Sequence, residues 1–283
     1  MAADQAQLEW ERRLARPAAG AAFAALVLQI GAQVAQASAY ADKGDGDRGA
    51  LRAINDNSGA VIASGALQAV SLFFIGAVLF YLFRATAARR PVPGAIRGVI
   101  VLAPLLMAVG AIWAQVDIVD VARDFVDRAP EGAKAAEERA DDVLKDRSPV
   151  PLVVGFAGSI ALAFAYVFVS LNAMRAGLLS RFMGILGVII GALLVLPILP
   201  GGNAIVQLFW LGAAGVLFLG RWPGAGRGPA WETGEAEPWP VPEGRRGMFG
   251  PGPQADDDVE PEPPPEPEQV DRPASRKRRR KKR

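Results

Sequence analysis

Charge in this chain is segregated to a degree that few folds permit. Six runs, 18–40, 60–83, 96–116, 150–171, 184–199 and 204–220, are apolar and almost uncharged. The Asp, Glu, Lys and Arg residues gather in the first sixteen positions, in the connections between runs and in the C-terminal tail. A bilayer imposes this pattern, because a charge at mid-membrane costs about 2.5–3.5 kcal/mol or more. A soluble chain of the same length would spread its charges over many short amphipathic elements. A hydrocarbon core of about 30 Å takes about 20 residues of helix, which the first four runs reach and the last two approach. The positive mean hydropathy, +0.21, agrees, whereas a net charge of +2 says little when acidic and basic blocks are separate.

The expected fold is therefore all-α: a polytopic membrane bundle of six transmembrane helices. Residues 1–17 form a cytoplasmic N-terminal segment, 18–220 the membrane domain with an external helical loop at 117–149, and 221–283 a disordered cytoplasmic tail. The motif PGGN at 200–203 reads as a tight turn between the last two runs.

Orientation follows from Lys and Arg in short connections. Arg12, Arg13 and Arg16 precede the first run; Arg84, Arg89, Arg90 and Arg97 flank the second connection; Arg175 and Arg181 flank the hinge between the fourth and fifth runs. These segments fall on one side, which places both termini in the cytoplasm of a bacterial inner membrane. The arginine-, alanine- and glycine-rich usage suggests a GC-rich bacterial genome. The 117–149 connection holds six Lys/Arg but also many acids, and its length lets it translocate with less regard to charge. The first run has a second reading. Ala37-Ser38-Ala39 after an apolar stretch resembles a signal-peptidase site, and cleavage would leave five spans.

The chain has no Cys and no His, which removes disulfides, thiolate nucleophiles, the usual zinc ligands and His-based acid–base chemistry. No Asp, Glu, Lys or Arg lies deep in a run; Arg97 and Asp117 mark the ends of the third. Ion-coupled transporters use such intramembrane groups, and intramembrane hydrolases need a nucleophile with a base or metal. Ser71 and Ser159 stand alone among apolar residues, as hydroxyls bonded to their own backbone do. The sequence points away from an enzyme, and no cofactor or metal is expected.

Gln29, Gln33 and Gln36 recur at spacings of four and three, one broad face of the first helix. Amides in hydrocarbon need partners, so the stripe reads either as interhelical hydrogen bonding, with Gln68, Gln115 or Gln207 as candidates, or as the wall of a solute path. Gly187 with Gly191, Gly155 with Ser159, and Gly212 with Gly215 carry helix-packing spacing, which serves one bundle or a homo-oligomer alike.

In the 117–149 loop, Asp117, Asp120, Asp124 and Asp127 share one helical face and Ile118, Val121 and Phe125 another. Pro130–Gly132 breaks the pattern before a second helix to about Asp146, giving a helical hairpin that continues the third span. Its acidic face lacks the glycine turn of an EF-hand loop. The tail becomes Gly/Pro-rich after Arg221, then acidic, then ends in Arg276, Lys277, Arg278, Arg279, Arg280, Lys281, Lys282 and Arg283. That block suits anionic lipid head groups of the cytoplasmic leaflet, at about 1 kcal/mol per residue near the surface. Nucleic acid is the less favoured partner, and cis pairing with the acidic block competes. Trp222, Trp231 and Trp239 are expected to add contacts at the membrane interface.

The stretch LNAMRAGLLSRFMGILGVIIGALLVLP, with Asn172, Arg175, Leu178, Leu179, Arg181, Phe182, Gly184 and Gly187, resembles a family of bacterial six-pass membrane proteins classed as a domain of unknown function. The resemblance is strongest from Asn172 to Pro197 and extends over roughly Ala18 to Gly220. It implies the six-span fold and supplies no activity or site residues. The functional expectation is a non-enzymatic membrane scaffold or accessory subunit, with a homo-oligomer or a membrane-protein partner as its company. The alternative is a small-solute channel lined by the glutamines.

Overall fold

The computed structural model describes residues 4–41, 43–128, 130–196, 202–223 and 226–239. Among them the chain is helical, and four helices are long and apolar enough to cross a membrane: α1 (Gln5–Ala39), α3 (Ser58–Arg89), α4 (Ala95–Asp127) and α6 (Val150–Arg175). Two shorter apolar helices follow, α7 (Arg181–Val195) and α8 (Gly202–Phe218). At 1.5 Å per residue their lengths are only about 22 and 26 Å. Of the expected PGGN turn, Gly202 and Asn203 already belong to α8, and the other two residues lie outside the described residues.

These six helices form a closed ring. Each packs on its successor, α1 on α3, α3 on α4, α4 on α6, α6 on α7 and α7 on α8, and α8 returns to α1 while α3 also touches α6 across the middle. Large apolar side chains such as Val34, Phe73, Leu105, Leu152, Phe164 and Ile205 stay exposed on the outer surface. A lateral surface of this kind is compatible with lipid and not with water.

Close approach is achieved by small residues. Along α1 the buried positions Ala15, Ala18, Ala22, Ala25, Gln29 and Ala32 alternate steps of three and four. This is the two-position heptad seam of an antiparallel helix pair. On α7, Gly184, Gly187 and Gly191 face Met174, Ser170 and Val167 of α6, and a β-carbon at Gly187 would collide with the Ser170 hydroxyl. Gly215 and Gly212 of α8 receive Phe23 and Leu26 of α1. Gly155 meets Gly110 of α4 rather than another molecule. All three expected glycine motifs are thus occupied within the ring.

The residues from Gln5 onward are the first turns of α1, which runs unbroken through Pro17, capped by Asp4 accepting from the Gln7 amide at 2.7 Å. The expected own-backbone bonding of the serines is corrected. The Ser71 hydroxyl donates to the Ala25 carbonyl of α1 at 3.0 Å, and Ser159 to the Leu194 carbonyl of α7 at 2.8 Å. Packing this tight brings neighbouring carbonyls within reach.

The expected helical loop is present. Helix α4 continues to Asp127, and α5 (Ala133–Lys145) folds back beside it. A short amphipathic helix in the first connection, α2 (Gly46–Asp56), joins them, and Leu51, Ile54, Val119, Phe125, Ala136 and Ala140 form a second apolar core. The acidic face is paired locally: Asp117 accepts from Arg147 at 2.7 Å and Asp124 lies 2.7 Å from Arg128. Glu137 of α5 accepts from the Asp47 and Arg48 amides at the start of α2, at 2.7 and 3.3 Å, and so caps that helix from another element. Gly46, at φ +72°, leaves the room this carboxylate occupies.

The α4–α6 seam makes a first prediction. A β-carbon at Gly110 would lie 2.5 Å from the Gly155 α-carbon, backbone against backbone, whereas one at Gly59 meets nothing within 4 Å. Gly110→Ala should lower stability by about 1–3 kcal/mol, and Gly59→Ala should not. Thermal melting in detergent reads both, and a Gly110→Ala protein that melts with the parent refutes the close approach.

Candidate functional site

Among the described residues two clusters of buried polar side chains stand out, and the sequence anticipated part of one. Three elements meet at the basic end of the ring: the start of α1, the end of α3, and the chain after α8. Glu11 lies in the heptad register of the α1 seam, four residues before Ala15 and seven before Ala18, and it is 1% exposed. Opposite it is Arg89, also 1% exposed. Its Nη1 and Nη2 donate to the two Glu11 carboxylate oxygens at 2.7 and 2.9 Å, a bidentate pair. Nη1 also donates to the Ala85 carbonyl at 2.8 Å. Nε and Nη2 converge on the Ala230 carbonyl at 2.9 and 2.8 Å. Every face of the guanidinium therefore has an acceptor, which is the condition for burying an ion pair at tolerable cost.

The Ala230 carbonyl comes from the region expected to be disordered. Of its described residues, 221–223 and 226–239, the second stretch is anchored through the buried Ala230 and Trp231. Helix α9 (Ala230–Thr233) lies against the ring, Trp231 is 3% exposed, and its indole nitrogen donates to the Leu178 carbonyl at 3.0 Å. Tyr81 stacks on that indole with centroids 5.6 Å apart, Phe218 meets it edge-on at 6.3 Å, and the Arg227 guanidinium sits 4.6 Å from its ring centre. Arg227 donates to the Tyr81 hydroxyl at 2.8 Å, and that hydroxyl donates to the Glu11 carbonyl at 2.9 Å. Trp231 is a buried anchor rather than an interfacial residue, while Trp222 and Trp239 are half-buried. The basic hinge serves as part of the receiving surface. Gly177, at φ +72°, ends α6, and a side chain there would collide with the Glu237 carbonyl.

The second cluster contains the glutamines, which do not share one fate. The Gln29 side-chain nitrogen donates to the Gln207 side-chain oxygen at 2.9 Å, and Gln207 donates to the Tyr166 hydroxyl at 3.0 Å, all three buried. This chain ties α1, α8 and α6 together. Gln36 is half-buried and accepts from the Ser64 hydroxyl at 2.7 Å. Gln33 is exposed on the outer surface. The seam alternates steps of four and three, so after the step of four from Ala25 to Gln29 it continues three on, at Ala32; a second step of four adds about another 40° and carries Gln33 off it, whereas a step of seven returns Gln36 close to the line of Gln29. Of the expected partners, Gln207 is engaged. The side chain of Gln115 instead faces Gly65. Gln29 Oε1 and the Ser170 hydroxyl are buried without a hydrogen bond.

The polybasic block, Arg276 to Arg283, lies outside the described residues. Among the described residues no group of three or more acidic side chains is placed to hold a metal ion. The ion pair and the Trp231 pocket had no local signal in the sequence, because Glu11 and Arg89 are 78 positions apart. The usable signal was Glu11 in phase with the alanines that follow it. No protein-family model matches the chain, and no curated protein and no solved structure is significantly similar to it.

The geometry separates pairing from proximity. Removing either partner of a buried ion pair leaves an uncompensated charge, at a cost of about 3–5 kcal/mol. Glu11→Ala and Arg89→Ala should each destabilise on that scale, and the double variant should lose clearly less than the sum. Detergent melting of all four proteins closes the cycle, and strict additivity would show that the two charges do not act on one another.

Proposed function

We propose that this protein is an integral inner-membrane scaffold or accessory subunit of six spans, with both termini cytoplasmic and no catalytic activity of its own. The observation that carries the reading is the chain Gln29–Gln207–Tyr166. The side-chain nitrogens of Gln29 and Gln207 each donate to a neighbouring helix, as interhelical glue does. Helices α7 and α8 are joined into a hairpin against α6 and α1, and their shortness suits a locally thinned or tilted arrangement. The resemblance of the hinge and α7 to six-pass bacterial membrane proteins of unknown function agrees with this assignment. Anionic lipid head groups are the partner for the polybasic end.

The channel reading gives a different result for the same substitution. In a scaffold, Gln29→Leu should cost about 0.6–2 kcal/mol in detergent melting, Gln33→Leu should be close to neutral, and liposomes holding either variant should swell no differently from those with the parent. Solute flux through the parent that Gln29→Leu abolishes without unfolding would favour the channel.

Topology is tested in a chain that has no cysteine of its own. Exposed positions that carry no charge are the fair probes. A cysteine at Ala135 or Gly59 should react with an impermeant thiol reagent in intact cells, and one at Ala95 should react only after lysis. This rests on the arginine-rich second connection. Labelling at Ala95 before lysis reverses the orientation.

A further inference from the structure

The surface that receives Trp231 is built largely without Trp231. Arg89 keeps its two bonds to Glu11 and one to Ala85 whether or not the Ala230 carbonyl is present. Tyr81 is fixed through the Glu11 carbonyl, and Gly177 and the Leu178 carbonyl are set by the turn that ends α6. The incoming segment contributes the Ala230 carbonyl, the Trp231 indole, a four-residue helix and the Arg227 guanidinium on the Tyr81 hydroxyl. Its route from α8 passes Gly220, Gly226 and Gly228, all at positive φ, so the connection is a series of turns rather than a continuing helix. A preformed cradle with two aimed donors, one aimed acceptor and an aromatic wall, filled by a short peptide on a turn-rich leash, has the composition of a peptide-docking site.

We infer that the cleft formed by Arg89, Tyr81, Phe218 and the Gly177–Leu178 turn is a peptide-docking site, held in this structure by the chain's own residues 226–239 as a releasable cis ligand. Recognition is by a backbone carbonyl placed on Arg89 and a following indole stacked on Tyr81, with its nitrogen aimed at Leu178. The segment after the indole is acidic, with Glu232 and Glu235 exposed. The turn it meets is flanked by the exposed Arg175 and Arg181. The inference goes beyond the scaffold proposal and holds for either function and either orientation.

The test uses the full-length protein in detergent and a labelled peptide covering residues 226–239. Trp231→Ala weakens the cis ligand and leaves the cradle residues in place. That variant should bind the peptide saturably. The parent, whose cleft is filled, should bind it at least tenfold more weakly, and a peptide carrying the same Trp231→Ala change should not bind. Adding Arg89→Lys to the Trp231→Ala protein should lower its affinity at least tenfold, because an ammonium cannot aim two donors at one carbonyl while holding Glu11 bidentately. Equal binding to parent and variant, or binding to neither, overturns the inference. So does a Trp231→Ala protein that no longer folds, since the segment would then be an inseparable part of the core. Hydrogen exchange on the unmodified protein supplies an independent reading. The amides of residues 231–234 should exchange at least 100-fold faster than those of 78–86 in α3. Matching rates would mean that the segment leaves only when the ring unfolds. A parent protein that is dimeric until excess peptide makes it monomeric would assign the occupant to a second copy and overturn the cis arrangement.

Discussion

A single guanidinium joins three parts of the chain that lie far apart in the sequence. Arg89 ends α3, holds the carboxylate of α1 on one edge and takes the Ala230 carbonyl on another. Burial without partners would cost several kcal/mol, and the Glu11 carboxylate and the Ala85 carbonyl supply most of the acceptors, with the Ala230 carbonyl completing the set. The guanidinium's value to the fold is specificity more than energy. An alanine seam such as that of α1 packs almost as well one turn out of register, since every step of three or four brings another alanine to the interface. Glu11 removes that freedom. With Arg89 fixed, Ser71 reaches the Ala25 carbonyl and Gln36 reaches Ser64, so the hairpin is pinned near its start, middle and end.

Small residues set how closely everything else can approach. Lipid offers no hydrophobic incentive for helices to associate, and contact must come from packing and hydrogen bonds. Gly187 against Ser170 and Gly191 against Val167 bring α7 and α6 near enough for the Ser159 hydroxyl to reach the Leu194 carbonyl, and the alanine seam of α1 does the same for Ser71 and the Ala25 carbonyl. The same proximity lets Trp210 donate to the Met183 carbonyl at 3.1 Å beside Tyr166. The small-residue seams and the scattered hydroxyls are thus one device: the first creates the distance at which the second can act.

The four long helices were legible because hydrophobicity at bilayer length is a strong, local signal. The continuation of α4 to Asp127 was legible too, in the face pattern of its aspartates and apolar residues, but the start of α1 was not: that helix reaches back to Gln5 through a polar extension stabilised by packing, which a hydropathy run does not register. The glutamine face was half legible: a period of seven selected Gln29 and Gln36, and the step of four misplaced Gln33. The Pro- and Gly-rich composition after Arg221 suggested disorder, and there the local reading failed for 226–239. A single buried tryptophan and one carbonyl on Arg89 outweigh the composition of the surrounding segment. Contacts between residues more than a hundred positions apart, such as Arg89 with Ala230, leave no pattern in one sequence.

The two ends of the ring are held by different physics. At the α2–α5 end, Asp124, Arg128, Asp141 and Lys145 are largely exposed, and pairs of that kind contribute at most about 1 kcal/mol each. What fixes α2 there is the Glu137 carboxylate on its first amides, over a small apolar core around Phe125. Such charges are screened within about 8–10 Å at ordinary ionic strength. At the basic end the pair is shielded from solvent, and salt cannot weaken it to the same degree. An element resting on exposed charges is governed by the surrounding solution, whereas one resting on Glu11 and Arg89 is governed by whether its third acceptor is seated. The Ala230 carbonyl is that third acceptor, and the chain reaches it past Gly220, Gly226 and Gly228, all at positive φ.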